Sequence, residues 1–152
     1  MNPAGGAQLT FRPLKSEDLR AISLVHRRAC LMAYQFMNWS YSLHAVEAWY
    51  STKLAEWTWT QGAFDADAIA GFIASNGQHV DQLFIDPDYQ RSGVGSALLL
   101  RALDSAPGTT TLHVFEANQN ARAFYAKHGF RERGRWMNTQ DGAMELLYVR
   151  ES

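Results

Sequence analysis

The stretch Gln90-Arg91-Ser92-Gly93-Val94-Gly95-Ser96 decides the reading of this chain, because of what stands on either side of it. Ahead of it lies Val80-Asp81-Gln82-Leu83-Phe84-Ile85, apolar and strand-like, closed by the turn Asp86-Pro87-Asp88. Behind it lies Ala97-Leu98-Leu99-Leu100-Arg101-Ala102-Leu103, a strong helix former that ends near Pro107-Gly108. A strand, a glycine loop and a helix N-terminus together make an anion site. The first-turn amides have no helical partner, and the helix dipole adds positive potential there. Gly93 and Gly95 let the backbone approach a bulky phosphate without Cβ interference, and Arg91 adds a fixed cation. The arrangement predicts a pyrophosphate site.

Two common phosphate-binding patterns are excluded. A nucleoside-triphosphatase loop needs Gly-Lys followed by Ser or Thr, and no such run occurs. A dinucleotide fingerprint needs a third glycine where Leu98 stands, and should follow the first strand of a βαβ unit rather than begin at residue 90.

A second motif follows a β-rich segment, Thr109 to Phe115. It reads Asn118-Gln119-Asn120-Ala121-Arg122-Ala123-Phe124-Tyr125-Ala126-Lys127-His128-Gly129-Phe130. With the Gln-x-x-Gly-x-Gly run before it, this half of the chain, residues 78 to 135, resembles the GNAT superfamily of acetyl-CoA-dependent N-acyltransferases. The resemblance implies that Gln90 to Ser96, that is Gln90, Arg91, Ser92, Gly93, Val94, Gly95 and Ser96, hold the pyrophosphate of acetyl-CoA, mostly through main-chain N–H groups. It implies that Leu83, Phe84 and Ile85 pair with the pantetheine arm as an added strand would. A backbone amide there would serve as oxyanion donor. Asn118 would hold the CoA arm near the helix start, and Tyr125 would occupy the place of the general acid.

Periodicity and turn residues predict the remaining elements. Leu9 to Leu14 reads as a strand. Ser16 with Glu17 and Asp18 reads as the N-cap and acidic first turn of a helix running to about residue 33. A second helix covers Ser42 to Leu54. Glu56 to Phe64 and Ala68 to Ser75 form an antiparallel pair, and Asn76-Gly77 turns into a strand at 79 to 85. A helix at 93–104, a strand at 109–115, a helix at 118–128 and strands at 130–136 and 143–150 complete the order β-α-α-β-β-β-α-β-α-β-β. This is an α+β chain with a mixed sheet flanked by helices, and the order is that of the GNAT fold. Residues 1–8 read as a flexible end and 9–152 as a single domain.

Composition narrows the partners. A chain of 152 residues with 47% apolar content can bury a sizeable core, and a net charge of −1 leaves no footprint for nucleic acid or an anionic membrane. The single cysteine, Cys30, cannot form an internal disulfide, which fits a reducing cytoplasm. No apolar run approaches the ~20 residues that span a bilayer, and residues 1–8 lack the pattern of a signal peptide.

Acetyl transfer to an amine requires that the thioester be held, the amine deprotonated, the oxyanion stabilised and the leaving thiolate protonated. A phenol of pKa ~10 stays protonated at neutral pH and can protonate a thiolate, which suits Tyr125; the bland alternative is a buried core tyrosine beside Phe124. By simple alternation His79, Asp81, Leu83 and Ile85 share one strand face. The resemblance places a glutamate base either where His79 stands or on the next strand where His113 stands, so this chain departs from the pattern at both positions. An imidazole of pKa ~6.5 can still act as a base, and Asp81 can bind a cationic acceptor or relay protons. Glu116 reads as a cap or solvated residue of the helix that follows it. The aromatics Tyr34, Phe36, Trp39, Tyr41, Trp49, Tyr50, Trp57 and Trp59, with His44 among them, fit an acceptor pocket, a core or a homodimer interface. The expected partner is an amine, on a small molecule or a peptide. No metal is expected. The rival reading is a non-catalytic CoA-sensing module that keeps the fold.

Overall fold

The computed structural model describes residues 8–37 and 39–152, and the expectation for the N-terminal end falls, but for Gln8, outside them. In chain order the elements are β1 (Thr10–Arg12), α1 (Leu19–Ala33), α2 (Leu43–Lys53), β2 (Trp59–Asp65), β3 (Ala68–Asn76), β4 (His79–Ile85), α3 (Val94–Ser105), β5 (Thr110–Phe115), α4 (Gln119–Lys127), β6 (Arg131–Asn138) and β7 (Ala143–Arg150). The order matches the one the sequence predicts. All strands join one sheet in the order β1-β2-β3-β4-β5-β7-β6, antiparallel throughout except for β4 beside β5.

Helices cover both faces, as the alternation of apolar residues demands. On one face α1 and α2 bury Ile22, Val25, Val46 and Tyr50 against Phe72, Ala74 and Trp57. On the other, α3 sets Val94, Leu98, Leu99 and Ala102 against Ile73, Val80, Leu112 and Leu146, and α4 adds Tyr125. Each large apolar side chain removed from water contributes about 1.5–3 kcal/mol, so two such layers fix the sheet between them.

The start of α1 departs from expectation. Ser16 is not its cap; residues Ser16–Asp18 form a turn of 3-10 helix ahead of Leu19. The buried Asp18 carboxylate closes that turn rather than capping α1, accepting the Lys15 N–H at 2.7 Å and pairing with Arg12 at 2.8 Å. The Arg12–Asp18 bond is charge-assisted and holds the turn against the end of β1. Strand β2 begins at Trp59 rather than Glu56, and β6 extends to Asn138.

The sheet opens at its centre. Strands β4 and β5 are in register only at His79–Thr111 and Val80–Leu112. Beyond Val80, β4 continues along β3 as far as Ile85, while β5 continues along β7 as far as Phe115. The main chain of β4 therefore has a free edge facing the gap.

A bulge on β4 accompanies the split. Ser75 pairs with Val80 and Ala74 with Gln82, so Asp81 is the extra residue. This overturns the single face expected for His79, Asp81, Leu83 and Ile85. An extra residue reverses the alternation beyond it. Val80, Leu83 and Ile85 consequently pack on the α3 side, whereas Asp81 reaches Trp57 and Phe84 packs on the α1 and α2 side.

Candidate active site

The gap between β4 and β5 widens into a cleft of about 1410 Å³ that runs from Arg91 past Leu83 to Tyr41 and Asp141. Its two walls are built differently.

One wall is main chain and helix start. Arg91 and Gly93 both hold positive φ, 60° and 89°. Gly93 is the cap of α3 in the left-handed region, with open space where a Cβ would stand. The first α3 backbone bond runs from the Ala97 N–H to the Gly93 carbonyl, so the N–H groups of Val94, Gly95 and Ser96 precede the helical ladder. Side chains add little: Val94 is buried in the core, and the Ser92 hydroxyl donates to the Tyr89 carbonyl. Gln90 is tied to the end of β4, donating from Nε2 to the Ile85 carbonyl at 3.0 Å. Ser96 meets His128, the C-cap of α4, at 3.0 Å. Gln90, Arg91, Gly93, Gly95 and Ser96 line the cleft, as do Leu83, Phe84 and Ile85.

Helix α4 enters from the same side. Asn118 accepts the Ala121 N–H at 3.2 Å and so caps α4. Of the two readings for Glu116, cap or solvated residue, the cap falls to Asn118; the Glu116 carboxylate is partly exposed and pairs with Arg135 at 2.7 Å. Arg122 locks the helix start, donating to the Glu116 carbonyl and to the Tyr148 hydroxyl. Tyr125 follows one turn on, 9% exposed and lining the cleft. Burial raises its phenol well above the ordinary range, so it is protonated at any physiological pH.

At the fork of the strands stand the imidazoles. The His79 Nδ1 is 2.7 Å from the Thr111 hydroxyl, and its ring lies 4.9 Å from that of His113. Burial and the neighbouring His113 lower the His79 pKa, with Asp81 opposing them. His113 packs its other side on Trp136 and places Nδ1 3.9 Å from a Glu145 oxygen. Asp81, on the bulge, accepts the Trp57 indole N–H at 2.7 Å. His79, Asp81, His113 and Tyr125 all line the one cleft.

The second wall is aromatic. Of the cluster between residues 34 and 59, Tyr50 and Trp57 are core, while Tyr34, Trp39, Tyr41 and Trp49 line the cleft. The sequence reading missed His26 among them. Its ring packs on Phe84 at 4.4 Å and Trp39 at 5.9 Å, and its Nδ1 meets the Tyr50 hydroxyl at 2.5 Å. Burial pushes this imidazole down to about 4, so it is neutral at pH 7. Its spacing from Ile22, Val25 and Ala29 on one helix face was the available signal. Glu145, Asn138 and Asp141 were also missed, since their short polar segment carries no motif. Cys30 lines the cleft but is buried, and burial pushes its thiol up, away from thiolate. Among the described residues there is no cluster of His, Cys, Asp and Glu that could hold a metal ion, and no helix is long and apolar enough to cross a membrane.

A mixed sheet forked at its parallel pair sets free helix-start amides at one end of the cleft and a phenol and imidazoles at the fork, the groups that a group-transfer site uses. The chain belongs to the GNAT acetyltransferase family: the acetyltransferase (GNAT) domain model matches residues 30–142. The peptidyl-lysine N-acetyltransferase YjaB of Salmonella typhimurium is 35% identical over 127 residues, 84% of this chain and 86% of that protein. The solution structure of apo YjaB from Escherichia coli is similar at a TM-score of 0.78 and 30% identity, covering 93% of this chain and 97% of that one. The PaiA N-acetyltransferase of Thermoplasma acidophilum in complex with coenzyme A shares the fold at a TM-score of 0.71 and 22% identity, covering 95% and 99%. The chain is thus an N-acetyltransferase acting on amines, and the reading as a non-catalytic module gives way.

Proposed function

We propose that this enzyme moves an acetyl group directly from acetyl-CoA to the ε-amine of a lysine in a peptide or protein, as one catalytic unit over residues 9–152 in the cytoplasm. The observation that carries the reading is the fork. Strands β4 and β5 part after Val80, which leaves the cleft-facing edge of β4 from Gln82 onward without a strand partner, directly ahead of the α3 N-terminus, with the Ile85 carbonyl taken by Gln90. An extended amide-bearing chain ending in a pyrophosphate fits that surface, the chain pairing with Leu83, Phe84 and Ile85 and the phosphates meeting the N–H groups of residues 91–96. The coenzyme A complex of the Thermoplasma protein, which shares the fold, supports this choice of donor.

The acetyl carbon then lies where the two walls meet. As the amine nitrogen bonds to the carbonyl carbon and the carbon–sulfur bond breaks, Tyr125 gives its proton to the departing thiolate. The amine proton passes to the imidazole pair, which His79 enters as the neutral base its environment favours. Cys30, held as a buried thiol, takes no acetyl group.

A lysine suits the acceptor wall. Its apolar stem packs on rings, and its cationic head is drawn to ring faces and to Asp81. The peptidyl-lysine activity named for the Salmonella relative supports this substrate class. The test is a panel of lysine peptides, peptides with a free N-terminus and blocked lysines, and polyamines. Thiol release would be followed with each, and the modified atom located by mass spectrometry. Acetyl-lysine is expected; thiol release with the polyamines alone would overturn the acceptor assignment.

A further inference from the structure

Behind the imidazole pair stands a carboxylate that no motif announces. Glu145 is on β7, opposite Phe115 of β5 and Trp136 of β6. Its Oε1 accepts the Asn138 amide N–H at 3.1 Å, and Asn138 also donates to Asp141 at 3.2 Å and accepts the Asp141 N–H at 3.0 Å. The amide thus orients one carboxylate oxygen and leaves Oε2 toward His113, 3.9 Å from Nδ1. Glu145 is largely buried, with a side-chain exposure of 18%, whereas that of His113 is 44%. His79, His113 and Glu145 all line the cleft, and of the last two His113 is the more open to solvent.

We infer that Glu145 is a positioning residue for the base of the acetyl transfer: it holds His113 against His79 so that the two imidazoles receive the amine proton as a unit and release it to solvent through His113. The inference rests on the acetyl-transfer reading above and adds to it a residue and an exit route. The protons balance: the lysine ammonium loses one proton to become the nucleophile and a second as the C–N bond forms; His79 takes the first on Nε2, its Nδ1 being engaged by Thr111, and releases it to solvent by way of His113, while the second restores the proton that Tyr125 gives to the thiolate. Two imidazoles at this separation resist double protonation, so a nearby negative charge is needed to keep the protonated pair in place. The charged or titratable groups facing the pair are Asp81 from β4 and Glu145 from β7. Neighbouring Glu145 are Tyr34 at the end of α1 and, across Asn138, Asp141. Arg135, on the same stretch of β6, is engaged with Glu116 and Glu132 and does not compete.

The experiment compares wild type with Glu145→Gln and Glu145→Asp. Gln keeps the shape and the Asn138 contact but removes the charge. A weakened hold on the protonated pair moves the acidic limb of the kcat–pH profile down by about one unit. It also lowers kcat about tenfold, less than the ~10²–10⁴ that loss of a general base costs. Glu145→Asp should restore most of the limb, and acceptor KM and CoA affinity should hold in both. If Glu145→Gln changes KM or CoA affinity while the limb stays fixed, the residue is structural and the inference is overturned. An independent readout is the nitrogen-detected NMR titration of the His79 ring, expected to move to lower pH in Glu145→Gln; an unmoved titration refutes the coupling. This second measurement needs no turnover. A wild type that leaves lysine peptides unmodified would sink the acceptor reading while the titration still decides the role of Glu145.

Discussion

Along the cleft wall that we assign to the donor the surface is main chain: the free edge of β4, the amides of α3 and the cap of α4. Along the acceptor wall it is rings, those of His26, Trp39, Tyr41 and Trp49, held by two helices and the loop between them. Main-chain recognition demands particular backbone geometry, here positive φ at Arg91 and Gly93 and an asparagine that closes the first turn of α4. Ring recognition demands only that enough apolar surface converge, which many sequences satisfy. The donor wall should therefore fail by small, atom-sized changes and the acceptor wall by graded ones.

The sharpest break of that contrast is a single oxygen on the donor side. Tyr125→Phe removes the proton donor while keeping a ring packed against Phe124 and Phe130, 5.2 and 5.6 Å away. Acetylation should slow by ~10²–10⁴-fold, with CoA affinity and melting temperature held. Stopped-flow thiol release beside calorimetry checks both. An unchanged rate would return Tyr125 to the core.

Next in size is Gly95→Asp. A Cβ there lies in contact with the Phe124 ring at 3.4 Å, so the backbone can accept the residue, but its carboxylate joins the phosphate site. Like charges brought together cost several kcal/mol, so CoA affinity should fall by roughly 10²–10³-fold. Calorimetry showing an unaltered dissociation constant would remove the loop from the donor site.

How much could be read beforehand follows the same division. The order of elements along the chain, the glycine loop and the Asn118–Tyr125 helix were legible because each depends on local residues at fixed spacing. The bulge at Asp81 was not. It arises from how β4 is shared between β3 and a diverging β5, and a bulge leaves no local mark where no glycine is needed. With it went the face expected for Leu83 and Ile85. The aromatic cluster was visible, but its division into core (Tyr50, Trp57) and cleft (Trp39, Tyr41, Trp49) depends on how α1 and α2 pack, and His26 and Glu145 become site residues only by tertiary approach.

The acceptor wall carries a pH signature of its own. His26 has a folded pKa of about 4, below its unfolded value of ~6.5, so the unfolded chain binds the proton more readily. Its neutral ring therefore stabilises the fold in full above pH ~6.5. That contribution is lost as pH falls toward 4, amounting to at most about 3 kcal/mol. Replacing it by Leu should lower stability at pH 7.5, because the Tyr50 hydroxyl loses its partner, and the deficit should shrink as the pH is lowered. Urea titrations at several pH values give the difference curve; a deficit constant with pH would show that His26 does not titrate in this range.

The smallest effect sought is on Asp81, which belongs to the acceptor wall by its bond to Trp57 although its strand also forms the donor wall. Trp57→Phe keeps a buried ring beside Tyr50 but deletes the indole N–H that fixes the carboxylate at 2.7 Å. Hydrogen bonds to charged groups contribute about 1.5–3 kcal/mol, and only the part that orients Asp81 reaches the acceptor. The KM for a lysine peptide should rise by roughly 3–10-fold, about 1 kcal/mol of lost orientation, with CoA affinity constant. If the variant instead weakens CoA and leaves the acceptor KM alone, the bulge serves the donor, and the boundary between the two walls lies on the other side of Asp81. Because the bulge turns Asp81 away from Leu83 and Ile85, the carboxylate should answer to the acceptor and not to the pantetheine arm.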